Sequence, residues 1–180
     1  MTASASNTKY YLKLTITLLV IAAIVALCLG LVNSITKDPI AQHKAQTARN
    51  AMSQVLAADS YSEVSFTDDT GTVQAVYQAG QAGYVVDLIV SGSQDLIELM
   101  VGVDNQGAVT GVSIVDHAET SGLGANCVKE SFRNQFIGAT GGLAVNKDGG
   151  TIDALTGATI TSRAVTRAVN NAVACVQGLL

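Results

Sequence analysis

An uncharged apolar segment near the N-terminus constrains this chain more than any other feature. Residues 14–36 read LTITLLVIAAIVALCLGLVNSIT and contain no charged side chain. As an α-helix rising about 1.5 Å per residue they extend about 34 Å, enough for the roughly 30 Å hydrocarbon core of a bilayer. A buried core helix would show a polar face, and a signal peptide usually has a shorter apolar core of about 7–15 residues. The segment therefore predicts a retained, single transmembrane helix.

Charged residues are divided unequally between this segment and the rest of the chain. Residues 1–36 carry only Lys9 and Lys13, and all 14 acidic residues follow them. An acidic body without clustered Lys and Arg is unsuited to neutralising phosphates, so nucleic acid is not an expected partner. Lysines lie on both sides of the apolar segment, and the positive-inside rule therefore leaves its orientation open.

The three cysteines do not indicate a metal site. Cys28, Cys127 and Cys175 are widely spaced and form no CxxC or Cys/His pattern. Zinc and iron–sulfur sites need closely grouped ligands, so neither is expected within this chain. A disulfide between Cys127 and Cys175 is an open alternative if the domain is exported.

A second helix is expected after the apolar segment. Proline is tolerated in the first turn of a helix, and Pro39 precedes an apolar stripe at spacings of three and four. The stripe consists of Ala41, Ala45, Ala48, Met52, Val55 and Leu56. Its spacing predicts a helix whose apolar face packs on the domain, and contact of that face with the membrane is the alternative. The expected organisation is a short tail at 1–13, a transmembrane helix at 14–36, a juxtamembrane helix at 37–58 and a domain at 59–180.

Four short segments rich in β-branched residues follow a polar linker. They lie at 73–78, 83–90, 96–103 and 108–115 and are separated by turn signals such as SGSQD and DNQG. This spacing predicts an antiparallel meander in which DNQG forms a tight hairpin. A helix at 127–138, a strand around 143–145 and a final helix at 161–180 are expected downstream. The predicted fold class is α+β: a single N-terminal transmembrane helix, then a small antiparallel-sheet domain with flanking helices.

The stretch DALTGATITS, residues 153–162, places four hydroxyls directly before the last predicted helix. Thr161 or Ser162 is expected to cap that helix by accepting backbone N–H groups. The same helix N-terminus favours a bound anion such as phosphate, and Gly157 lets the backbone approach it. The hydroxyl of Thr159 would then lie beside the phosphate. A plain turn followed by a helix cap is the alternative.

Two charged residues upstream are further candidates for such a site. Asp153 and Lys147 precede Thr159 by six and twelve residues. Between them they have the chemistry to bind a metal ion or accept a proton, through the carboxylate, and to neutralise phosphate charge, through the ammonium group. The spacing alone does not name the ligand.

Two motifs together resemble a known family. DALTGATITSRAVTRAVN resembles the signature of FMN-binding domains in which the flavin is attached covalently, through its phosphate, to a threonine. HAETSGLGA at 117–125 resembles the His-x-Glu-Thr-Pro-Gly-Leu-Gly loop of the same family, which lies against the flavin; Ser121 stands where proline is usual. The resemblance covers roughly residues 35–175. It implies that a separate, magnesium-using flavin transferase moves FMN from FAD onto Thr159.

The resemblance also implies the remaining site residues. Gly122, Leu123 and Gly124 would offer backbone contacts and an apolar wall to the flavin ring, while Thr156 and its neighbours would shape the phosphate loop. The implied cofactor-binding set is Thr159 (covalent FMN), Thr156, Gly157, Ala158, Ser162, Glu119, Thr120, Gly122, Leu123, Gly124, Lys147 and Asp153. It includes no catalytic and no metal-binding residue. For Glu119 and His117 a solvated loop edge is the open alternative.

Within the family the chain resembles the G subunits of Rnf-type ion-translocating ferredoxin:NAD oxidoreductases, which have one N-terminal span and a domain of this size. The resemblance implies an electron relay, coupled with other membrane subunits to Na⁺ or H⁺ movement, without a small substrate of its own. It implies a cytoplasmic N-terminus and an FMN domain outside the cytoplasmic membrane. The alternatives are the C-type component of a sodium-pumping NADH:quinone reductase, a free-standing anchored flavoprotein that reduces an extracytoplasmic acceptor, and a domain without flavin.

Overall fold

The N-terminal part of the chain is one long helix, α1, which runs over Ala3–Val55. The computed structural model describes residues 3–68 and 70–180. The chain divides into two units, Met1–Gln46 and Thr47–Leu180. Most of α1 belongs to the first unit, and its last turns belong to the second.

In the first unit α1 carries apolar side chains that no other part of the unit covers. Leu19 and Leu29 are each 65% exposed, and the apolar residues between them are exposed as well. The stretch Thr8–Val55 is long and apolar enough to cross a membrane, with a mean hydropathy of 2.8 in its most apolar window. A helix that is apolar on every face is solvated by lipid rather than by water. The segment predicted to span the membrane therefore lies within a helix of the required length.

Pro39 lies inside α1, so the prediction that it begins a separate helix was wrong. A proline inside a helix loses one hydrogen bond and its ring crowds the carbonyl four residues earlier, and α1 continues through Pro39 despite this cost. No break in α1 therefore separates residues 14–36 from the residues that follow. The division into a transmembrane and a juxtamembrane helix stays a prediction about the membrane boundary.

The second unit is built on an antiparallel sheet with strand order β1-β2-β3-β4-β5 among the described residues. The strands are Ser62–Val64, Val73–Ala79, Gly83–Ser91, Leu96–Asp104 and Val109–His117. The four predicted strands and the meander are confirmed. The prediction missed β1 because its three residues, SEV, are polar, mostly exposed and set in a polar linker. The DNQG hairpin is also confirmed, with Gly107 at φ +78° and its N–H donating to the Asp104 carbonyl over 3.0 Å.

Both faces of the sheet pack against helices. On one face the helix α3, Thr159–Gln177, buries an apolar stripe that includes Val165, Val169 and Val173 against alternate residues of the central strands. On the other face Ala51, Met52 and Val55 of α1 pack around Val85 and Met100. Successive strand residues point to opposite faces, so one strand supplies both layers. The prediction that the stripe packs on the domain is confirmed for its last part, which includes Met52 and Val55.

The segment after β5 is less regular than predicted. A 3₁₀ turn at Gly124–Val128, the short helix α2 at Glu130–Arg133 and a second turn at Asn134–Phe136 replace the expected continuous helix. Lys129 has extended backbone angles (φ −71°, ψ 140°), which interrupt the helix. The buried rings of Phe132 and Phe136, 5.4 Å apart and edge to face, hold this segment to the core.

The strand predicted around 143–145 was wrong as well. The described structure has one parallel bridge there, between Val145 and Ile152, and a 3₁₀ turn at Asn146–Asp148. Gly141 and Gly142, both with positive φ, turn the chain just before this segment. The 3₁₀ turn begins directly after Val145, so the extended backbone ends there.

Cys127 and Cys175 are free thiols, and both are buried. Burial, followed by the charge of Glu119, raises the pKa of the Cys127 thiol to about 11. This thiol is therefore protonated, and unreactive as a thiolate, at neutral pH.

Asp87 on β3 provides a test of how the sheet packs. It lies opposite Met100 on the α1 face, its Oδ1 is buried without a hydrogen-bond partner in the described structure, and burial, then Glu98, raises its pKa to about 6. The unfolded chain loses this proton near pH 4 and the folded domain near pH 6, so the stability that the neutral form provides declines as pH rises through that range. Allowing for its partial exposure, we expect Asp87→Asn to raise the free energy of unfolding at pH 8 by about 1–2 kcal/mol.

Denaturant unfolding of the full-length protein in detergent, followed by circular dichroism at pH 4.5 and pH 8, measures this effect. Asp59→Asn removes the same charge from an exposed position and serves as the control. Equal unfolding midpoints for Asp87→Asn and the native protein at pH 8 would contradict the buried state of Asp87.

Candidate functional site

The two sequence motifs meet at the N-terminus of α3. Gly157 has φ +73°, a conformation that favours glycine, and a Cβ added there would lie 2.9 Å from Cδ2 of Leu123. A side chain at position 157 would thus strain the backbone and push the two motifs apart. The structure therefore places the loop at 117–125 directly against the stretch 153–162.

A groove with a volume of about 550 Å³ lies between the motifs. Gly122 and Leu123 line it from the first motif, and residues 153–156 line it from the second. Its remaining wall includes Lys129 and Gln135, which sequence reasoning did not select because it assigned them to a continuous helix. A volume of this size is typical of ligand and cofactor pockets. Lys129 adds a positive charge to a groove whose other charged residue is Asp153.

Thr159 is the first residue of α3 and is half-buried. The preceding Ala158 forms the N-cap without a side-chain hydrogen bond. In the described structure the backbone N–H groups of residues 159–161 have no acceptor. Free N–H groups and the positive end of the helix dipole together favour a bound anion. The donor set beside the Thr159 hydroxyl therefore suits a phosphate group.

The prediction that Thr161 or Ser162 caps α3 was wrong. Because α3 begins at Thr159, both residues lie inside its first turn, where their hydroxyls cannot reach the free N–H groups ahead of them. The Ser162 Oγ accepts the N–H of Leu155 and donates to the Ala158 carbonyl, each over 2.9 Å. Ser162 is fully buried, so it holds the loop 155–158 onto the helix from inside.

Glu119 lies in the interior rather than at a solvated loop edge, with 7% of its surface exposed. Its Oε1 accepts the N–H groups of Ser93, over 2.6 Å, and Gln94, over 3.1 Å. Its Oε2 accepts the hydroxyl of Thr161. Burial works to raise the pKa of this carboxyl, but the hydrogen bonds hold it below its usual value. The carboxylate is therefore charged and fully engaged inside the protein at neutral pH.

The loop that contains Glu119 is organised by its own backbone. The carbonyl of Thr120 accepts the N–H groups of Leu123 and Ala125, each over 3.1 Å. Gly122 has φ +79° at the tip of this turn, and its carbonyl accepts the Asn126 amide over 2.8 Å. These bonds leave the side chain of Leu123 43% exposed beside the groove. The loop thus presents an apolar residue and exposed backbone to the groove, as the flavin-loop prediction requires.

Asp153 is oriented by neighbours that sequence reasoning missed. Its Oδ1 accepts the side-chain amide of Asn146 over 3.1 Å, and its N–H donates to Oε1 of Gln135 over 2.7 Å. Lys147, next to Asn146, is exposed and has no ion pair within the described parts of the chain. Asp148 instead pairs with Arg163 on α3, with Nε 2.7 Å from Oδ2. The structure therefore brings Asp153 to the groove and shows no contact of Lys147 with it.

Two family models match the chain. The model of the FMN-binding domain matches residues 92–174, and the model of the RnfG N-terminal region matches residues 1–55. The first match includes both site motifs, and the second coincides with α1.

Characterised relatives match the chain over most of its length. The G subunit of the ion-translocating oxidoreductase complex of Methanosarcina acetivorans is 34% identical over 93% of this chain and 95% of its own length. The G subunit of the proton-translocating ferredoxin:NAD(+) oxidoreductase complex of Clostridium ljungdahlii is 41% identical over 76% of each chain. Among solved structures, one match is the C subunit of the Na(+)-translocating NADH-quinone reductase of Parabacteroides distasonis. The two chains are 29% identical in the matched region, which covers 55% of this chain and 57% of that subunit, and the TM-score is 0.46.

Proposed function

The chain belongs to the family of G subunits of ion-translocating oxidoreductase complexes, and on this premise we propose that it relays electrons through an FMN bound covalently to Thr159. Its family membership and its FMN-binding domain make it an electron-transfer flavoprotein subunit of an oxidoreductase complex. The attachment residue, the membrane orientation and the maturation partner are parts of the proposal.

One observation carries the assignment of Thr159. Its hydroxyl lies at the start of α3, where no side chain caps the helix and the first N–H groups have no acceptor in the described structure. Such N–H groups would hold the phosphate of FMN, and Gly157 leaves its backbone accessible. The groove between the motifs gives the rest of the flavin an adjacent place, with Leu123 as an apolar wall and Lys129 as a cation.

Attachment to Thr159 is a group transfer from FAD. The Oγ1 of Thr159 forms a bond to the phosphorus of the FMN half, the pyrophosphate P–O bond breaks, AMP leaves with the bridging oxygen, and the hydroxyl proton passes to water. A separate flavin transferase with magnesium is the proposed catalyst, and this chain is its substrate. The N–H groups of residues 159–161 would stabilise the negative charge on the transferred phosphate.

Bound FMN supplies redox chemistry, since it accepts and gives up electrons singly or in pairs. The residues of this chain bind and orient the group, and its covalent linkage prevents loss by diffusion. Other membrane subunits of the complex are the proposed electron donor and acceptor. No small substrate of its own is expected, and no residue of this chain is assigned a catalytic role.

The helix α1 anchors this relay in the proposed arrangement. Its apolar, exposed side chains match a lipid bilayer in length and composition. The short N-terminal tail would stay in the cytoplasm, and the FMN domain would lie on the extracytoplasmic side of the cytoplasmic membrane. Flavin transfer would then take place outside that membrane.

The test is the mass of the full-length protein purified after co-expression with a flavin transferase. We expect an increase equal to one FMN less one water. Trypsin cleaves after Lys147 and Arg163, so fragmentation of the peptide 148–163 locates the modification. An unmodified mass, or a modification on a different residue, would overturn the attachment. Co-purification of other membrane subunits would distinguish a component of a complex from a free-standing anchored flavoprotein.

A further inference from the structure

The carboxylate of Glu119 joins three segments that are distant in sequence. Its own loop follows β5, its Oε1 binds the turn between β3 and β4 at Ser93 and Gln94, and its Oε2 binds Thr161 in the first turn of α3. Both Glu119 and Thr161 are buried. We refer to Glu119, Ser93, Gln94 and Thr161 together as the Glu119 clamp. It connects the start of α3 to the turn between β3 and β4, at one end of the sheet.

Two glycines leave space for this carboxylate. A Cβ added to Gly92 would collide with Oε1 of Glu119, and one added to Gly124 would collide with Oε2. Gly124 would also bring its Cβ within 2.8 Å of the Thr161 hydroxyl. Neither glycine has positive φ, so backbone conformation does not require glycine at these positions. The close packing instead holds the carboxylate of Glu119 in one place.

The start of α3 needs such a connection. Its N-cap is an alanine without a side-chain bond, and helix ends with unpaired N–H groups tend to fray. Ser162 ties the preceding loop to the helix, but both partners of its hydroxyl lie within residues 155–158. The bond between Thr161 and Glu119 instead fixes the first turn relative to the sheet.

We propose that Glu119 is a positioning residue, which holds the first turn of α3 through Thr161 and so places the Thr159 hydroxyl for FMN transfer. This inference rests on the proposed attachment at Thr159. It gives Glu119 a role distinct from flavin contact, because its carboxylate is engaged in the interior. It also makes Ser93 and Gln94, which lie outside both motifs, supports of the attachment site.

A carboxylate suits this position better than its neutral analogue. The carboxylate accepts hydrogen bonds from the two N–H groups and from the hydroxyl at the same time. Charge-assisted bonds of this kind offset the cost of burying the charge. A glutamine would still accept the two N–H groups through its oxygen, but its NH₂ group would face the Thr161 hydroxyl. That NH₂ group would donate to the Thr161 oxygen, so the contact would remain as a weaker bond between neutral groups, and the Thr161 hydroxyl proton would lose its acceptor.

The test compares variants that differ by one hydroxyl. Thr161→Val keeps the branched shape and removes the bond to Glu119, and Thr161→Ser keeps the bond. Thr166→Val is the matched control, because Thr166 is buried one turn further along α3 and its hydroxyl bonds only to the Ser162 carbonyl in the described structure. Purified full-length apoprotein in detergent is incubated with flavin transferase, FAD and Mg²⁺, and the initial rate of FMN incorporation is measured at several protein concentrations.

We expect Thr161→Val to lower the maximal rate of incorporation at least about tenfold with little change in KM, because misplaced reacting groups lose rate steeply. Glu119→Gln, which keeps a weaker bond to Thr161, should lower the rate by a smaller factor. Thr161→Ser should restore most of the rate, and Thr166→Val should retain it. Amide hydrogen exchange in the flavin-free protein should accelerate at Ala158 and Ser162, whose N–H groups are hydrogen-bonded, in Thr161→Val and remain unchanged there in Thr166→Val. This second readout does not depend on the flavin.

Several results would overturn the role of Glu119. Incorporation at the native rate in Thr161→Val would do so, and so would an equal loss in Thr166→Val. A Thr161→Ser variant as slow as Thr161→Val would show that the hydroxyl is not what matters. If the native protein is labelled at a residue other than Thr159, the attachment proposal fails. Hydrogen exchange then still decides whether Glu119 orders the first turn of α3.

Discussion

Thr159→Ala is expected to abolish covalent flavin in the full-length protein co-expressed with a flavin transferase. Alanine lacks the hydroxyl oxygen that would form the phosphoester, so the predicted effect is complete loss rather than a lower rate. The fold should be unaffected, because the Thr159 hydroxyl makes no hydrogen bond with the described residues and the side chain is half-buried. Ultraviolet fluorescence of the protein band in a denaturing gel, together with its intact mass, measures the result.

Two variants serve as controls for this prediction. Thr159→Ser keeps a hydroxyl at the same position and should keep covalent flavin. Thr151→Ala removes an exposed threonine hydroxyl from the same tryptic peptide, and this variant should carry covalent flavin to the same extent as the native protein. Fluorescence that survives Thr159→Ala would place the attachment elsewhere and remove the basis of the proposal. Equal circular dichroism melting curves for the three variants would show that lost labelling is not lost folding.

The parts of the fold that were predictable are those determined by local pattern. The β2–β5 meander follows from alternating β-branched residues and glycine-rich turns, and its ends are within two residues of the prediction. The stripe on α3 follows from its helical period. The wrong predictions occur where tertiary contacts override local preference. Lys129 is extended within an apparently helical segment, and Pro39 lies within a helix that continues past it.

The candidate site shows the same division. The residues of both motifs could be selected because each motif is contiguous in sequence, and the structure brings the motifs together at Gly157 and Leu123. The partners of those residues could not be selected. Ser93 lies 26 residues before Glu119, and Asn146 and Gln135 belong to segments without any recognisable motif. Hydrogen bonds between distant backbone and side-chain groups leave no periodic signal in a sequence.

The cap prediction failed for a different reason. When several hydroxyl residues precede a helical pattern, any of them is a candidate for the first residue of the helix. The position of that first residue decides which backbone N–H groups each hydroxyl can reach. Because α3 begins at Thr159, two hydroxyls that appeared to precede the helix became buried connections within it. The N–H groups expected to be capped are consequently free. This outcome strengthens the case for an anion at that position.

Gly124→Ala is expected to lower the free energy of unfolding by about 3 kcal/mol, since overpacking costs about 1–3 kcal/mol and the loss of a hydrogen bond to a charged group costs a similar amount. The added methyl group would collide with the Glu119 carboxylate and approach the Thr161 hydroxyl. Both partners are buried, so neither has solvent to move into. Denaturant unfolding of the full-length protein in detergent, followed by circular dichroism, measures the loss.

Gly122→Ala separates this collision from the general effects of adding a methyl group. Gly122 lies two residues away, has φ +79° and has open space around it, so alanine there should cost only about 1 kcal/mol of backbone strain. Both substitutions reduce the entropy of the unfolded chain equally, and this contribution cancels in the comparison. If the two variants unfold at the same denaturant concentration, Glu119 is not packed as tightly against Gly124 as the structure indicates. The difference between them therefore measures how rigidly the carboxylate is held beside α3.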